Sequence, residues 1–121
     1  MTDAFQTRLN VLRDRFRGRM ASERVALQNI VSDLERGGPI DQSTEEVRRI
    51  AHGLAGAGGT FGFAGVSACA AALEEFVSAP EKAELAERCR TLVLELDCAL
   101  GVPAPATLQS IHGAADRLST A

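Results

Sequence analysis

Apolar residues recur at three- and four-residue steps along almost the whole chain, and no segment alternates with period two over a strand's length. Such spacing gathers the apolar side chains into one stripe of a helix, which must be buried against another helix, so the pattern predicts an all-α fold. Phe5, Leu9, Leu12 and Phe16 make the first run, continued after Met20 by Leu27, Ile30, Val31 and Leu34. This reads as an opening helix or helix pair, with Gly18 and Ser22 as the places to bend or break it and Gly37-Gly38-Pro39 as its stop. Ser43 with Glu46 three residues later reads as a capping box for the next helix. Its stripe of Val47, Ile50, Ala51, Leu54 and Phe61 runs into a glycine-rich segment expected to end or turn the helix. Val66, Cys69, Ala70, Leu73, Phe76 and Val77 make a third stripe, closed before Pro80. Ser78 with Glu81 is a second capping-box signal, ahead of Leu85, Cys89, Leu92, Leu96 and Leu100.

The expected architecture is a four-helix up-down bundle with room for an extra terminal helix. One domain spans 1–121: a core of about 3–100, then 101–121 as the linker Gly101-Val102-Pro103-Ala104-Pro105 and a short amphipathic stretch of Leu108, Ile111, Ala115 and Leu118. A formal net charge of −3 and a pI near 5.4 argue against a general nucleic-acid or anionic-membrane binder. The run Arg13, Arg15, Arg17 and Arg19 reads as a solvated helix face. Cys69, Cys89 and Cys98 form no CxxC pair and have no histidine at zinc-finger spacing, so buried, reduced thiols are expected rather than a metal or redox centre. The N-terminus lacks the basic flank and apolar run of a signal peptide, and no apolar stretch approaches the ~20 residues of a membrane span, so a cytoplasmic protein is expected.

The informative segment runs from Ala51 to Phe63, where His52 stands alone in an amphipathic helix. At about 100° per residue it lies roughly 140–160° from the centre of the stripe made by Val47, Ile50, Leu54 and Phe61, and so faces solvent. Gly56 and Gly59 share its side of the helix and Ala55 adjoins, which leaves the imidazole accessible to an approaching protein surface. Periodicity alone is equally compatible with an ordinary exposed histidine beside a loose, glycine-rich helix end. Phe63, however, lies 11 residues after His52 and 11 before Glu74, so an antiparallel hairpin turning there brings both to one level. Glu74 flanks the Leu73 stripe, and Glu75 points well out. A Glu74 carboxylate accepting from Nδ1–H would fix the tautomer and leave Nε2 as a nucleophile; the alternative is a solvated glutamate at the seam.

This segment resembles the histidine-containing phosphotransfer (HPt) motif, in which a phospho-accepting histidine is followed by leucine at +2, lysine at +3, glycine at +4 and glycine at +10. Those positions here are His52, Leu54, Ala55, Gly56 and Gly62. The family's next helix carries a glutamine or glutamate that hydrogen-bonds the histidine, and Leu73-Glu74 stands in that place. The resemblance implies a phosphocarrier without its own ATP site, accepting a phosphoryl group on His52 from a receiver-domain aspartate and passing it to another receiver. Its partners would be response-regulator receivers or a hybrid histidine kinase, with Mg²⁺ supplied by the receiver and no cofactor of its own, and the protein is expected to be monomeric. The motif lysine is replaced by Ala55. Arg48, one turn before His52 and about 40° round the helix, is the candidate substitute, and the loss leaves open a pseudo-HPt adaptor that docks without carrying phosphate. Gly56-Ala57-Gly58-Gly59-Thr60-Phe61 fails the dinucleotide pattern at its last position, and no Gly-Lys-Ser/Thr follows, so an ATP site and a kinase catalytic domain are not expected. The surface around His52, with Gly59 and Phe63, is the expected docking area, core packing being the alternative reading for Phe63 and the favoured one for Phe61, and His112 reads as a bystander.

Overall fold

A computed structural model describes residues 2–77 and 81–101, which form four α-helices and no strand: α1 (Thr2–Glu35), α2 (Ile40–Thr60), α3 (Ala64–Phe76) and α4 (Lys82–Leu100). Successive helices run antiparallel, as their contacts show. Glu23 of α1 faces Arg49 of α2, Ser67 of α3 bonds to Ala55 of α2, Phe76 of α3 lies under Arg88 of α4, and Arg90 of α4 pairs with Glu35 of α1 at 3.2 Å. Inside, Met20, Leu27, Val47, Ile50, Leu54, Val66, Leu73, Leu85, Leu92 and Leu96 are fully buried, each contributing about 1.5–3 kcal/mol of apolar transfer. The fold is the all-α four-helix bundle that the periodicity predicted.

The helix ends differ from the sequence reading in instructive ways. α1 is one 34-residue helix, unbroken at Gly18 or Ser22. Gly18 is exposed and helical, and its cost of about 1 kcal/mol is outweighed by Phe16 and Met20, which are buried on either side. α1 stops where Gly37 enters the left-handed region (φ 85°), with Gly38 N–H bonding to Asp33 O at 2.8 Å and Gly37 N–H to Leu34 O at 3.2 Å, a Schellman closure. The Ser43–Glu46 capping box does not form. α2 starts three residues before Ser43, directly after Pro39, because the proline's fixed φ (−66°) launches the helix and lets Ile40 pack against the core; Ser43 is buried within it and Glu46 pairs with Arg49 instead. At α4, Glu81 flanks the helix without a side-chain cap, and Ser78 lies outside the described residues.

The glycine-rich stretch does not end α2, which continues through Gly53, Gly56, Gly58 and Gly59 to Thr60. The turn comes at Gly62 (φ 86°), closed by Phe63 N–H to Gly58 O at 2.8 Å. At the same end of the bundle α4 finishes on Gly101 (φ 73°), and Arg17 of α1 donates to the carbonyls of Ala99 and Leu100 in the last turn of α4 at 3.3 and 3.2 Å. The turns of α1 before Arg13 extend past both neighbours, so Phe5 (68% exposed) and Leu12 (45% exposed) stand in solvent although they continue the core stripe. The linker and the terminal stretch with Leu108, Ile111, His112, Ala115 and Leu118 lie outside the described residues.

Two measurements check this account. Gly37→Ala should lose about 1–2 kcal/mol in urea unfolding because a side chain resists the left-handed conformation, whereas Gly18→Ala, in open helical space, should gain about 0.5–1 kcal/mol. Burial pushes the Cys89 thiol up to about 12, so at pH 8 it stays protonated as well as covered, whereas Cys98 is exposed. A thiol reagent at that pH should therefore label Cys98 promptly and reach Cys89 only on the timescale of global unfolding.

Candidate functional site

His52 leaves α2 on its outer face, between Ala51, which is buried, and Gly53, which is half-buried against α1. Its side chain is 79% exposed, and Nδ1 lies 2.5 Å from Oε2 of Glu74, whose side chain is 34% exposed on α3. A ring nitrogen that close to a carboxylate is a donor: Nδ1–H donates, and the lone pair of the neutral ring is left on Nε2. The hairpin thus brings together the two residues singled out from their spacing.

The register that achieves this is set by small residues. A Cβ on Gly58 would stand 3.2 Å from Cβ and N of Ser67 and 3.3 Å from Phe63 O, so the α2 backbone is in near contact with α3 there. Ser67 Oγ donates to Ala55 O at 2.7 Å across the same seam. Ser67 was not singled out in the sequence; a serine on the flank of an apolar helix facing glycines is the signal that could have found it. Beyond His52, Gly56 is exposed in open space and Gly59 meets only Ser67 Oγ at 3.6 Å, so the face one and two turns onward is low. Ala55 is half-buried, and Gly62 forms the turn.

Two expected site residues lie elsewhere. Phe63, expected as a docking anchor, is buried (8% exposed), because the turn folds its ring against Phe16 at 5.7 Å, with the guanidinium of Arg13 over it at 5.1 Å. Arg48 leans toward the start of α2, as helical side chains do. There it pairs with Glu45 and donates to the α3-terminal carbonyl of Val77 at 3.3 Å, holding the far end of the hairpin rather than facing the ring. Arg49 is engaged too, with Glu46 at 2.7 Å and Glu23 at 3.7 Å; the bond to Glu46 holds its guanidinium charged and keeps the Glu46 carboxyl below its ordinary range. Arg19 is exposed, as expected of the basic run, and its guanidinium lies across Gly53, its Cζ 3.1 Å from where a Cβ would stand. Only the α1–α2 register could have revealed that placement. Among the described residues no group of three or more His, Cys, Asp and Glu gathers to hold a metal, and no helix is long and apolar enough to cross a membrane.

The four-helix bundle thus displays an imidazole on an open face with its Nδ1 held by a carboxylate. The family model of the Hpt domain matches residues 11–102, and the chain belongs to that family. Its role is therefore phosphotransfer in two-component signalling, and Hpt domains are phosphocarriers. Searches of curated proteins and of solved structures find no significant match.

The ring geometry is directly testable. Long-range ¹H–¹⁵N correlations should show His52 as the Nδ1–H tautomer and, in Glu74→Leu, as the Nε2–H tautomer; an unchanged pattern would mean that the carboxylate does not set the proton's place.

Proposed function

We infer that His52 is the phosphoacceptor of a phosphorelay carrier that exchanges a phosphoryl group with receiver domains. The observation that carries this reading is the exposed ring with Nδ1 2.5 Å from Glu74. Nε2 attacks the phosphorus of a receiver's aspartyl phosphate; the N–P bond forms, and the O–P bond breaks with its electron pair leaving on the aspartate. As the ring becomes electron-poor, the Nδ1 proton is held by the Glu74 carboxylate, which stabilises the charge that develops there. A second receiver's aspartate reverses the exchange. The transition state is loose and anionic, so the carrier's share is in-line presentation on a rigid helix, and Mg²⁺ would come from the receiver. The partners are receiver domains, free or within a hybrid histidine kinase, and the setting is cytoplasmic, with the carrier acting as a monomer.

One observation favours a second reading, an adaptor that docks without phosphate: Ala55 stands where the motif has lysine, and Arg48 is engaged at the far end of the hairpin. Incubation with a phosphorylated receiver separates the two. The carrier acquires an acid-labile, alkali-stable label that is lost in His52→Gln and kept in His112→Gln; the adaptor binds the receiver but takes no label. Label persisting in His52→Gln would remove His52 from the role. A charge-assisted hydrogen bond is worth about 1.5–3 kcal/mol, so Glu74→Ala should slow transfer by about 10–100-fold.

A further inference from the structure

A phosphoryl group on Nε2 brings close to two negative charges to a surface whose nearest ionic neighbour, Glu74, is itself negative. The small face beside the ring has no donor side chain to offer: it consists of Gly53, Ala55, Gly56 and Gly59. Any compensating charge has to come from a side chain that reaches in. On α2 itself Arg48 and Arg49 are already bonded, to Glu45 and the Val77 carbonyl and to Glu46 and Glu23 respectively.

Arg19 of α1 is different. Among the described residues it forms no hydrogen bond or ion pair, and its guanidinium rests on Gly53, the residue that follows His52. Consecutive Cα atoms are about 3.8 Å apart and successive helical positions about 100° round, so this seat adjoins the face that bears the imidazole. The seat also accounts for the glycine. Glycine is a poor helix former, and Gly53 is neither at a turn nor, like Gly58, against another backbone; the atoms that would meet its Cβ are those of the Arg19 guanidinium. A residue with a Cβ would push that group off the helix.

We propose that Arg19, seated on Gly53, is the charge of this chain that receives the phosphoryl group on His52. The inference rests on the reading of His52 as phosphoacceptor. A guanidinium presents paired N–H donors that match two phosphoryl oxygens, and from its seat it needs only side-chain rotation to meet them. The charge thus arrives from a neighbouring helix instead of from the helix that bears the histidine.

Phosphoramidate is a suitable probe because it tests the chain without a partner: Nε2 attacks its phosphorus, the N–P bond to His52 forms, and the donor's P–N bond breaks to release ammonia. Label formation should fall by about tenfold or more in Arg19→Gln and recover most of that loss in Arg19→Lys. Gly53→Ala keeps the charge and favours the helix, yet should also slow labelling severalfold by displacing the guanidinium. Arg36→Gln, the same charge change beside Asp33 just past the C-terminal end of α1, should match the unaltered protein. Thermal melts establish that each variant is folded. Wild-type label on His52 with an unchanged rate in Arg19→Gln overturns the role of Arg19 alone. No label on His52 in the wild-type chain overturns the phosphoacceptor reading and this inference with it.

Discussion

The close approach of α2 and α3 at Gly58 governs the rest of the site. With Gly58 in near contact with Ser67, His52 is six residues back along α2 and Glu74 seven residues on along α3. At about 1.5 Å per residue these are rises of roughly 9 and 10 Å, which bring imidazole and carboxylate level. Moving either helix by one residue would separate them by more than a hydrogen bond can span. The glycines that weaken α2 as an isolated helix therefore secure its register in the hairpin. The Ser67 hydroxyl bonded to the Ala55 carbonyl adds a directional tie that apolar packing cannot supply.

Much of this was legible in the chain because it follows from period and spacing. The stripes of α2, α3 and α4 placed the core, and the equal intervals about Phe63 placed His52 opposite Glu74. What was illegible depended on competition between local and tertiary terms. Ser43 and Glu46 satisfy a capping pattern, but Pro39 starts the helix earlier and packs a half-buried Ile40 against the core. Glycines at 53, 56, 58 and 59 look like a helix stop until one sees what packs against them. Phe5 and Leu12 satisfy the core stripe, yet no period can tell where neighbouring helices end. Phe63 was divided between surface and core, and the direction of the turn decided for the core.

The arginines of α1 illustrate how one sequence feature separates into distinct tasks once register is known. Arg13 and Arg17, four apart, share a side of the helix and both lie over the Phe63 ring, at 5.1 and 5.9 Å. Arg17 also closes the C-terminal end of α4. Read as a run, these residues were a solvated face, because linear proximity conceals that alternate members of a helix point in different directions. α1 is thus more than a wall of the core: it braces the turn of the hairpin and the end of the fourth helix at once.

The low relief of the α2 surface has a consequence for fidelity. Selectivity between related partners depends as much on clashes with the wrong ones as on contacts with the right one. With Gly56 and Gly59 offering nothing to collide with, few docking geometries are rejected near the imidazole itself. Discrimination between partners then falls to side chains farther out on the surface than Glu74 and Arg19, away from the ring.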